Sequence, residues 1–561
     1  MKKFFSALFL VALVAGFGYH AMACTNFIMT KGATTDGSVM ISYSADSHTL
    51  YGELYFWPAR DWPAGAMMDV TEWDTGKPLG KIAQVKHTYQ VVGNMNEHQV
   101  AIGETTFGGR EELFNQKGAI VDYGCLIYVS LQRAKTAREA IKIFGDLTEK
   151  YGYASEGESF SISDANEAWI LEMISKGSDQ LGAVWVARRI PDGCVSGHAN
   201  QARITTFPLN DPQNCLYAKD VITFARGKGW FDGKDEEFSF SDTYAPVTFS
   251  GARACEARVW AMFNHLNANM EQYQDYAMGH LVKGKWGYTT NRMPLWIKPD
   301  KKVSVHDMMN LMRDHYEGTK MDMNYDLGAG PFQCPYRWRP MTLKIDSVDY
   351  VHERAVSTQQ TGFVFVAQSR SWLPDPIGGI FWFGMDDTYT MVFSPMYCGM
   401  NKIPEAYRVG NGDLLHFSPT SAFWTFNMVA NWAYTKYNYM IKDIRPVQQE
   451  LENKYIAQTT GEIDKKAAGL YAKDKASATK YLTDYSVKTG QATIKRWQEM
   501  FQYLFVKYMD GNVKKEKDGK FETNANGLPV MPSQPGYPEW WLKEIIKQHG
   551  SVIKQVGPSA H

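Results

Sequence analysis

Ala21-Met22-Ala23-Cys24-Thr25-Asn26-Phe27 is the stretch on which the reading of this chain turns. Ahead of it, Lys2 and Lys3 give a positive end, and Phe4 to Phe17 an apolar run too short to span a bilayer comfortably. Ala21-x-Ala23 then supplies the small residues that a signal peptidase reads. Residues 1–23 are therefore read as an export signal, and cleavage after Ala23 leaves Cys24 as the first mature residue. Such a cysteine carries a thiol and a free α-amine together, so nucleophile and base sit side by side. A cysteine in this place also suits lipid attachment, which acylates the thiol and blocks the amine. Lipid signals favour Leu three residues before the cysteine, and this chain has Ala21 there.

Just downstream, Cys24 to Thr30 and Ser38 to Ser44 are short, half-alternating runs. They flank Lys31-Gly-Ala-Thr-Thr-Asp-Gly37, whose Asp-Gly is a turn signal, so the pair reads as a hairpin with Cys24 at a strand end. Further strands are expected at Thr88–Val92, Gln99–Thr106, Ser159–Ser163, Ala168–Met173, Val184–Ile190, Gly362–Gln368, Ile380–Phe383 and Tyr389–Phe393. Helical periodicity covers Cys125–Arg133, Ala137–Lys150 and Val303–Tyr316, the last opened by Ser304 with Asp307 three residues on. From Thr420 to Tyr508 the pattern is helical, with loops expected around 458–462 and 488–490. A polar connector over 511–536 precedes a short terminal helix. Hairpins alternating with helices predict an α+β core of antiparallel sheets with helices packed outside.

Composition narrows the function classes. The formal net charge is −1, with both signs mixed along the chain, which speaks against a nucleic-acid partner. No stretch after the signal is long and apolar enough for a membrane span, so no integral membrane segment is expected once the signal is removed. Aromatics at 14%, with 17 tryptophans, predict either large buried surfaces or an aromatic-lined cleft. Seven cysteines, Cys24, Cys125, Cys194, Cys215, Cys255, Cys334 and Cys398, leave six beside Cys24, enough for up to three bridges or none. No CxxC, HExxH, Gly-x-Ser-x-Gly or phosphate-loop motif is present, and neither cofactor nor metal is expected. Asp314-His315-x-Glu317 and Asp386-Asp387 read as structural groups, since one helix does not converge the first set and paired acids must face each other across a cleft.

Motifs in order along the chain carry a family resemblance. They are Cys24-Thr-Asn-Phe, the Asp36-Gly turn, Ile41-Ser-Tyr-Ser-Ala-Asp46-Ser, Arg189-Ile-Pro-Asp-Gly193, His198-Ala-Asn200-Gln-Ala-Arg203, Met312-Arg-Asp-His-Tyr-Glu-Gly-Thr319, Gln368-Ser-Arg-Ser-Trp-Leu-Pro-Asp-Pro-Ile-Gly-Gly379 and Ser394-Pro-Met-Tyr-Cys398. Over residues 24–450 the chain resembles the cysteine dipeptidases of the dipeptidase A type, N-terminal-nucleophile hydrolases related to choloylglycine hydrolase and acid ceramidase. The resemblance implies an αββα sandwich over residues 24–450, and the helical pattern beyond it reads as an extension over 451–561. It also implies a hydrolase of dipeptides, which the export signal places in the periplasm or outside the cell, with oligomeric state left open and a homo-oligomer compatible.

In the implied chemistry the Cys24 thiol attacks the peptide carbonyl and its own α-amine takes the proton; that amine titrates at about 7.7, near working pH. Asp46 matches the acid that orients the amine in the wider superfamily. Asn200 matches an oxyanion-hole asparagine, a role worth about 3–4 kcal/mol. Tyr43 departs from the pattern, since relatives often carry arginine there, and Glu104 stands near a second oxyanion donor position without a role. Arg203, Arg258 and Arg370 are candidates for holding a substrate carboxylate. The alternatives are another amide hydrolase on the same scaffold, acting on acyl-amino-acid or bile-salt amides, and a non-catalytic lipid-anchored protein.

Overall fold

The computed structural model describes residues 24–557, so the expected signal, residues 1–23, lies outside the described residues. The chain opens as the hairpin that its turn chemistry dictates. Asp36 Oδ1 accepts from the Ser38 backbone N–H (3.0 Å) and from its hydroxyl (2.7 Å), and Gly37 takes φ +81°. Strand Asn26–Met29 thereby returns as Val39–Asp46, with Ile28 opposite Ile41 and Met29 opposite Met40. Thr25 pairs with Ser44 below them, which leaves Cys24 one residue outside the ladder beside the end of the longer strand.

This hairpin is the middle of a seven-stranded antiparallel sheet. Its order is Trp296–Ile297, Val195–His198, Asn26–Met29, Val39–Asp46, Thr361–Ser369, Ile380–Met385 and Ser394–Tyr397. A second sheet has eight strands, in the order Cys215–Tyr217, Ala183–Arg189, Ala168–Ser175, Gly157–Ser163, Ala101–Gly108, Met95–Asn96, Val91–Val92 and Phe56–Trp57. The two sheets face each other across the core, where Gly103 comes so near the hairpin that a Cβ would stand 3.0 Å from Tyr43 Cβ and 2.5 Å from the Asn26 amide. Only glycine allows that approach. His198 crosses the same gap, bonded at Nδ1 to Thr105 (2.8 Å) and at Nε2 to Ser161 (2.7 Å).

Helices cover both outer faces. Tyr123–Leu131 and Ala137–Tyr151 pack on the eight-stranded sheet, Leu126, Ile141 and Phe144 joining Phe160 and Leu171 in one apolar cluster. Ala422–Tyr434 and Lys475–Lys507 pack on the other, and the Trp497 indole donates to the Thr390 carbonyl at 3.0 Å. Covered on both faces, every residue of Val39–Asp46 and Thr361–Ser369 is buried, which is why these strands read as near-continuous apolar or small-residue runs. The result is the αββα sandwich. Its apolar core runs without a break past residue 450 through Leu482, Trp497 and Leu504.

Five local expectations are corrected. Tyr389–Phe393 is a turn and the strand begins at Ser394, because the Asp387 carboxylate gathers the Tyr389 N–H (3.1 Å), Tyr336 (2.6 Å), Ser357 (3.0 Å) and Tyr434 (2.9 Å) and bends the chain. Thr88–Val92 splits into two short strands, His87–Thr88 and Val91–Val92. The helix at Ser304, capped by Ser304 and Asp307 as expected, stops at Leu311. Residues 488–490 are not a loop: Lys475–Lys507 is continuous, and Gly490 is the gap into which Pro404 and Tyr407 press. The segment around 458–462 is a wide helical turn, Thr459–Ile463, leading straight into Asp464–Tyr471. None of the seven cysteines is in a disulfide. No helix among the described residues is long and apolar enough to cross a membrane.

Candidate active site

Cys24 is fully buried, held by its own backbone and by what surrounds its sulfur. The Arg258 guanidinium, from helix Ala257–Leu266, donates to the Cys24 carbonyl (2.6 Å) and to Thr25 Oγ1 (2.8 Å). Its other arm reaches the Ala199 carbonyl (3.2 Å) and Asn200 Oδ1 (2.9 Å). Asn200 sits in the left-handed region at φ +59° and donates through Nδ2 to the Thr106 carbonyl at 2.6 Å. One buried arginine thus locks the chain at Cys24 to the loop that carries Asn200. Asn26 adds a tie between the sheets: in the amide orientation that satisfies both of its atoms, it donates to Glu104 O (3.0 Å) and accepts from Glu104 N (3.1 Å).

Around the sulfur stand Tyr43, whose hydroxyl is 3.7 Å away, and Glu104, whose Oε1 is 3.8 Å away. These two are joined by a 2.5 Å hydrogen bond from Tyr43 to Glu104 Oε1. Glu104 and Glu158 are diagonal neighbours on one face of adjacent strands, since Thr106 opposes Glu158 and Glu104 opposes Phe160. Thr106 Oγ1 donates to Glu158 Oε1 at 2.7 Å, and the Oε2 atoms of Glu104 and Glu158 are both buried. Burial pushes the Glu104 carboxyl up to about 7, and burial together with the Glu104 charge drives Glu158 well above the carboxylate range. Burial, then the charges of Glu104 and Asp46, raise the Cys24 thiol far above its ordinary value, while the Asp46 backbone amide and Tyr43 pull the other way. The buried thiol therefore rests protonated, and its activation needs a base placed beside it. Beyond Glu104, Tyr128 packs with Trp57 (ring centroids 4.3 Å apart) and Trp73 (4.8 Å), so part of the aromatic content does line this region.

Asp46 closes the strand next to Cys24 and is completely buried. Its Oδ1 accepts from Thr361 (2.6 Å), and its Oδ2 accepts from Arg354 Nη2 (2.6 Å) and Ser44 (3.1 Å). Cys24, Asp46, Asn200 and Arg258 are thus brought together. Arg203 and Arg370 are not. Arg203 is buried with Nε on Glu256 (2.9 Å), Nη1 on the Gly197 and Leu295 carbonyls (2.9 and 3.1 Å) and Nη2 on the Pro294 carbonyl (2.8 Å). Arg370 follows the strand at its opposite end. Asp46 pairs with Thr361 and Val39 with Ser369, so Arg370 lies about 24 Å along the sheet from Asp46. There it is ion-paired to Asp464 of the C-terminal helices and buried. Both arginines expected at a substrate carboxylate are thus engaged by buried carboxylates, Arg203 by Glu256 and Arg370 by Asp464.

Sequence reasoning passed over Glu158 and Arg354 and left Glu104 without a role. A charged residue inside an otherwise small or apolar strand, as in Ile102-Gly-Glu104-Thr and Gly157-Glu-Ser-Phe160, was the signal for the carboxyl pair. Nothing local marks Arg354.

Residues 53–450 match the family model described as Peptidase family C69. A probable dipeptidase of Latilactobacillus sakei is 26% identical over 409 residues, 69% of this chain and 76% of the relative. A probable dipeptidase of Salmonella dublin is 25% identical over 71% of this chain and 86% of its own length. Probable dipeptidase B of Lactococcus lactis is 23% identical over 86% of this chain and 95% of its own length. The matched span begins at Glu53, so the case for Cys24 rests on the geometry above, whereas Glu104, Glu158, Asn200, Arg258 and Arg354 all fall inside it. The chain belongs to Peptidase family C69.

Proposed function

We propose that this chain is an exported cysteine dipeptidase whose mature N-terminus is Cys24. The observation that carries the reading is the buried Cys24, with Asp46 fixed at the end of the neighbouring strand and Asn200 tied to the Cys24 carbonyl through Arg258. Cys24 Sγ attacks the carbonyl carbon of the peptide bond and passes its proton to the Cys24 α-amine, freed by removal of residues 1–23. The carbonyl oxygen becomes an oxyanion, for which Asn200 Nδ2, held in place by Arg258, is the proposed donor. Collapse forms the thioester and releases the C-terminal amino acid with the proton from the α-amine. Water, deprotonated by the same amine, then hydrolyses the thioester and frees the N-terminal amino acid. Asp46 orients the amine, and Arg354 and Thr361 hold the Asp46 carboxylate in place.

Intact mass and N-terminal sequencing of exported protein, followed by a dipeptide screen, test this. A chain starting at unmodified Cys24 that cleaves dipeptides, and loses turnover in Cys24→Ala without losing its fold, is expected. Full activity in a precursor still starting at Met1 would remove the mechanism, because its Cys24 amine is tied up in a peptide bond.

A further inference from the structure

Around Asp46 the structure gathers three guanidinium groups. Arg354 is ion-paired to Asp46 at 2.6 Å, and Arg258 holds the Cys24 carbonyl at 2.6 Å. Arg339 is fastened to the same strand end through Gln360, whose Oε1 accepts from Arg339 Nη2. The Gln360 carbonyl in turn accepts from the Ser47 N–H (3.0 Å), and the next residue, Thr361, donates to Asp46 at 2.6 Å. Arg339 is exposed, whereas Arg258 and Arg354 are buried behind it.

The charges at this end do not cancel on Arg339. Asp46 is committed to Arg354, and Glu353, which lines the same cleft as Arg339 and Arg354, is held by Arg253 (Nε to Oε2, 2.9 Å). Among the described residues no carboxylate forms an ion pair with Arg339. Partial burial and the positive charges of Arg354 and Arg258 bring the Arg339 pKa down to about 10. Burial and the same pair, Arg339 and Arg354, hold the nearby His48 below the usual histidine range. A bound anion relieves this repulsion. Glu104 Oε1 stands 3.8 Å from the Cys24 sulfur with Glu158 as its diagonal neighbour, while the guanidinium groups gather at the Cys24 carbonyl and at Asp46, so carboxyl and guanidinium groups meet Cys24 at different atoms.

A zwitterionic dipeptide likewise carries both signs of charge. Its ammonium lies on the acyl side of the scissile bond, and its carboxylate one residue away on the amine side. We propose that Arg339, backed by Arg354, anchors the α-carboxylate of the substrate, and so sets both the direction of binding and the two-residue length limit. A planar guanidinium matches a carboxylate with two parallel hydrogen bonds. In a tripeptide bound with the same bond over Cys24, the carboxylate falls one residue beyond this point. The inference rests on the dipeptidase reading above.

The test compares kcat/KM for one dipeptide, its C-terminal amide and the tripeptide extended by one residue, in the mature enzyme and in Arg339→Gln and Arg339→Lys. Wild type prefers the free acid to both other substrates. Arg339→Gln lowers the acid-to-amide ratio about 10- to 100-fold, chiefly through KM, and Arg339→Lys restores part of it. Calorimetric binding of the intact dipeptide to Cys24→Ala, with and without Arg339→Gln, shows the same loss without turnover. An acid-to-amide ratio unchanged by Arg339→Gln overturns the anchor. Wild type that cleaves dipeptides but treats acid and amide alike overturns the anchor and spares the dipeptidase reading; wild type that cleaves no dipeptide overturns both.

Discussion

Arg258 donates a 2.6 Å hydrogen bond to the carbonyl of Cys24, from a helix far away in the chain. The same guanidinium holds Asn200 Oδ1 at 2.9 Å, so the proposed nucleophile and the proposed oxyanion donor share one rigid support. The contact is to the backbone and the amide, not to the sulfur, which makes Arg258 a positioning residue.

Arg258→Met is therefore expected to cost both stability and turnover. It strands several buried acceptors, and losing one charged partner from a buried network typically costs about 3 kcal/mol or more. Melting temperature should fall by several degrees, and kcat should drop by more than KM changes, because the geometry of attack is disturbed while substrate contacts persist. Arg258→Lys should recover some stability but little kcat, since one ammonium cannot span the Cys24 carbonyl and Asn200 together. Unfolding curves read beside steady-state kinetics check this.

The Glu104–Glu158 pair makes a pH-dependent contribution to stability whose sign follows from its raised pKa. An unfolded glutamate ionises from about pH 4.3, whereas Glu104 in the folded chain keeps its proton up to about 7. Between these values the folded state binds the extra proton, so this site's contribution to stability declines as pH rises and is flat above about 7. Glu104→Gln removes the decline. Denaturant unfolding at pH 5 and pH 7.5 should show the variant gaining on wild type as pH rises; a constant difference would mean that Glu104 does not keep its proton in the folded chain.

Arg370 offers the converse case. Paired with Asp464, which also accepts from Tyr397 at 2.6 Å, it joins the seven-stranded sheet to the C-terminal helices. Arg370→Met should lower stability by about 3 kcal/mol or more through the uncompensated Asp464. The kcat/KM of the folded fraction on dipeptides should stay within about twofold of wild type, given the distance of about 24 Å along the sheet. Thermal unfolding and active-site-normalised kinetics separate the two effects. A selective rise in KM would return Arg370 to the substrate site.

Local chemistry made much of the frame legible. The Asp36-Gly37 turn prescribes the first hairpin, the Ser304–Asp307 box prescribes a helix start, and amphipathic periodicity prescribes Ala137–Tyr151. Where local and tertiary signals conflict, packing wins. Gly490 looks like a loop residue until Pro404 and Tyr407 are seen pressed against it inside a continuous helix.

By itself the sequence marked Cys24 as the candidate nucleophile, because a cysteine behind an expected cleavage signal is a local pattern, and Asp46 as the candidate acid, because a short hairpin returns it to Cys24. The company of that thiol was decided only by the tertiary structure. Tyr43, Glu104, Glu158, Arg258 and Arg354 come from both sheets and from a flanking helix and loop, and they meet through strand register and sheet-to-sheet packing. The physical reason is that an arginine's charge is visible in a sequence while its partner is not. Arg258, Arg339 and Arg354 lie at the Cys24 end of the sandwich, and Arg203 and Arg370 are consumed by Glu256 and Asp464 elsewhere in it.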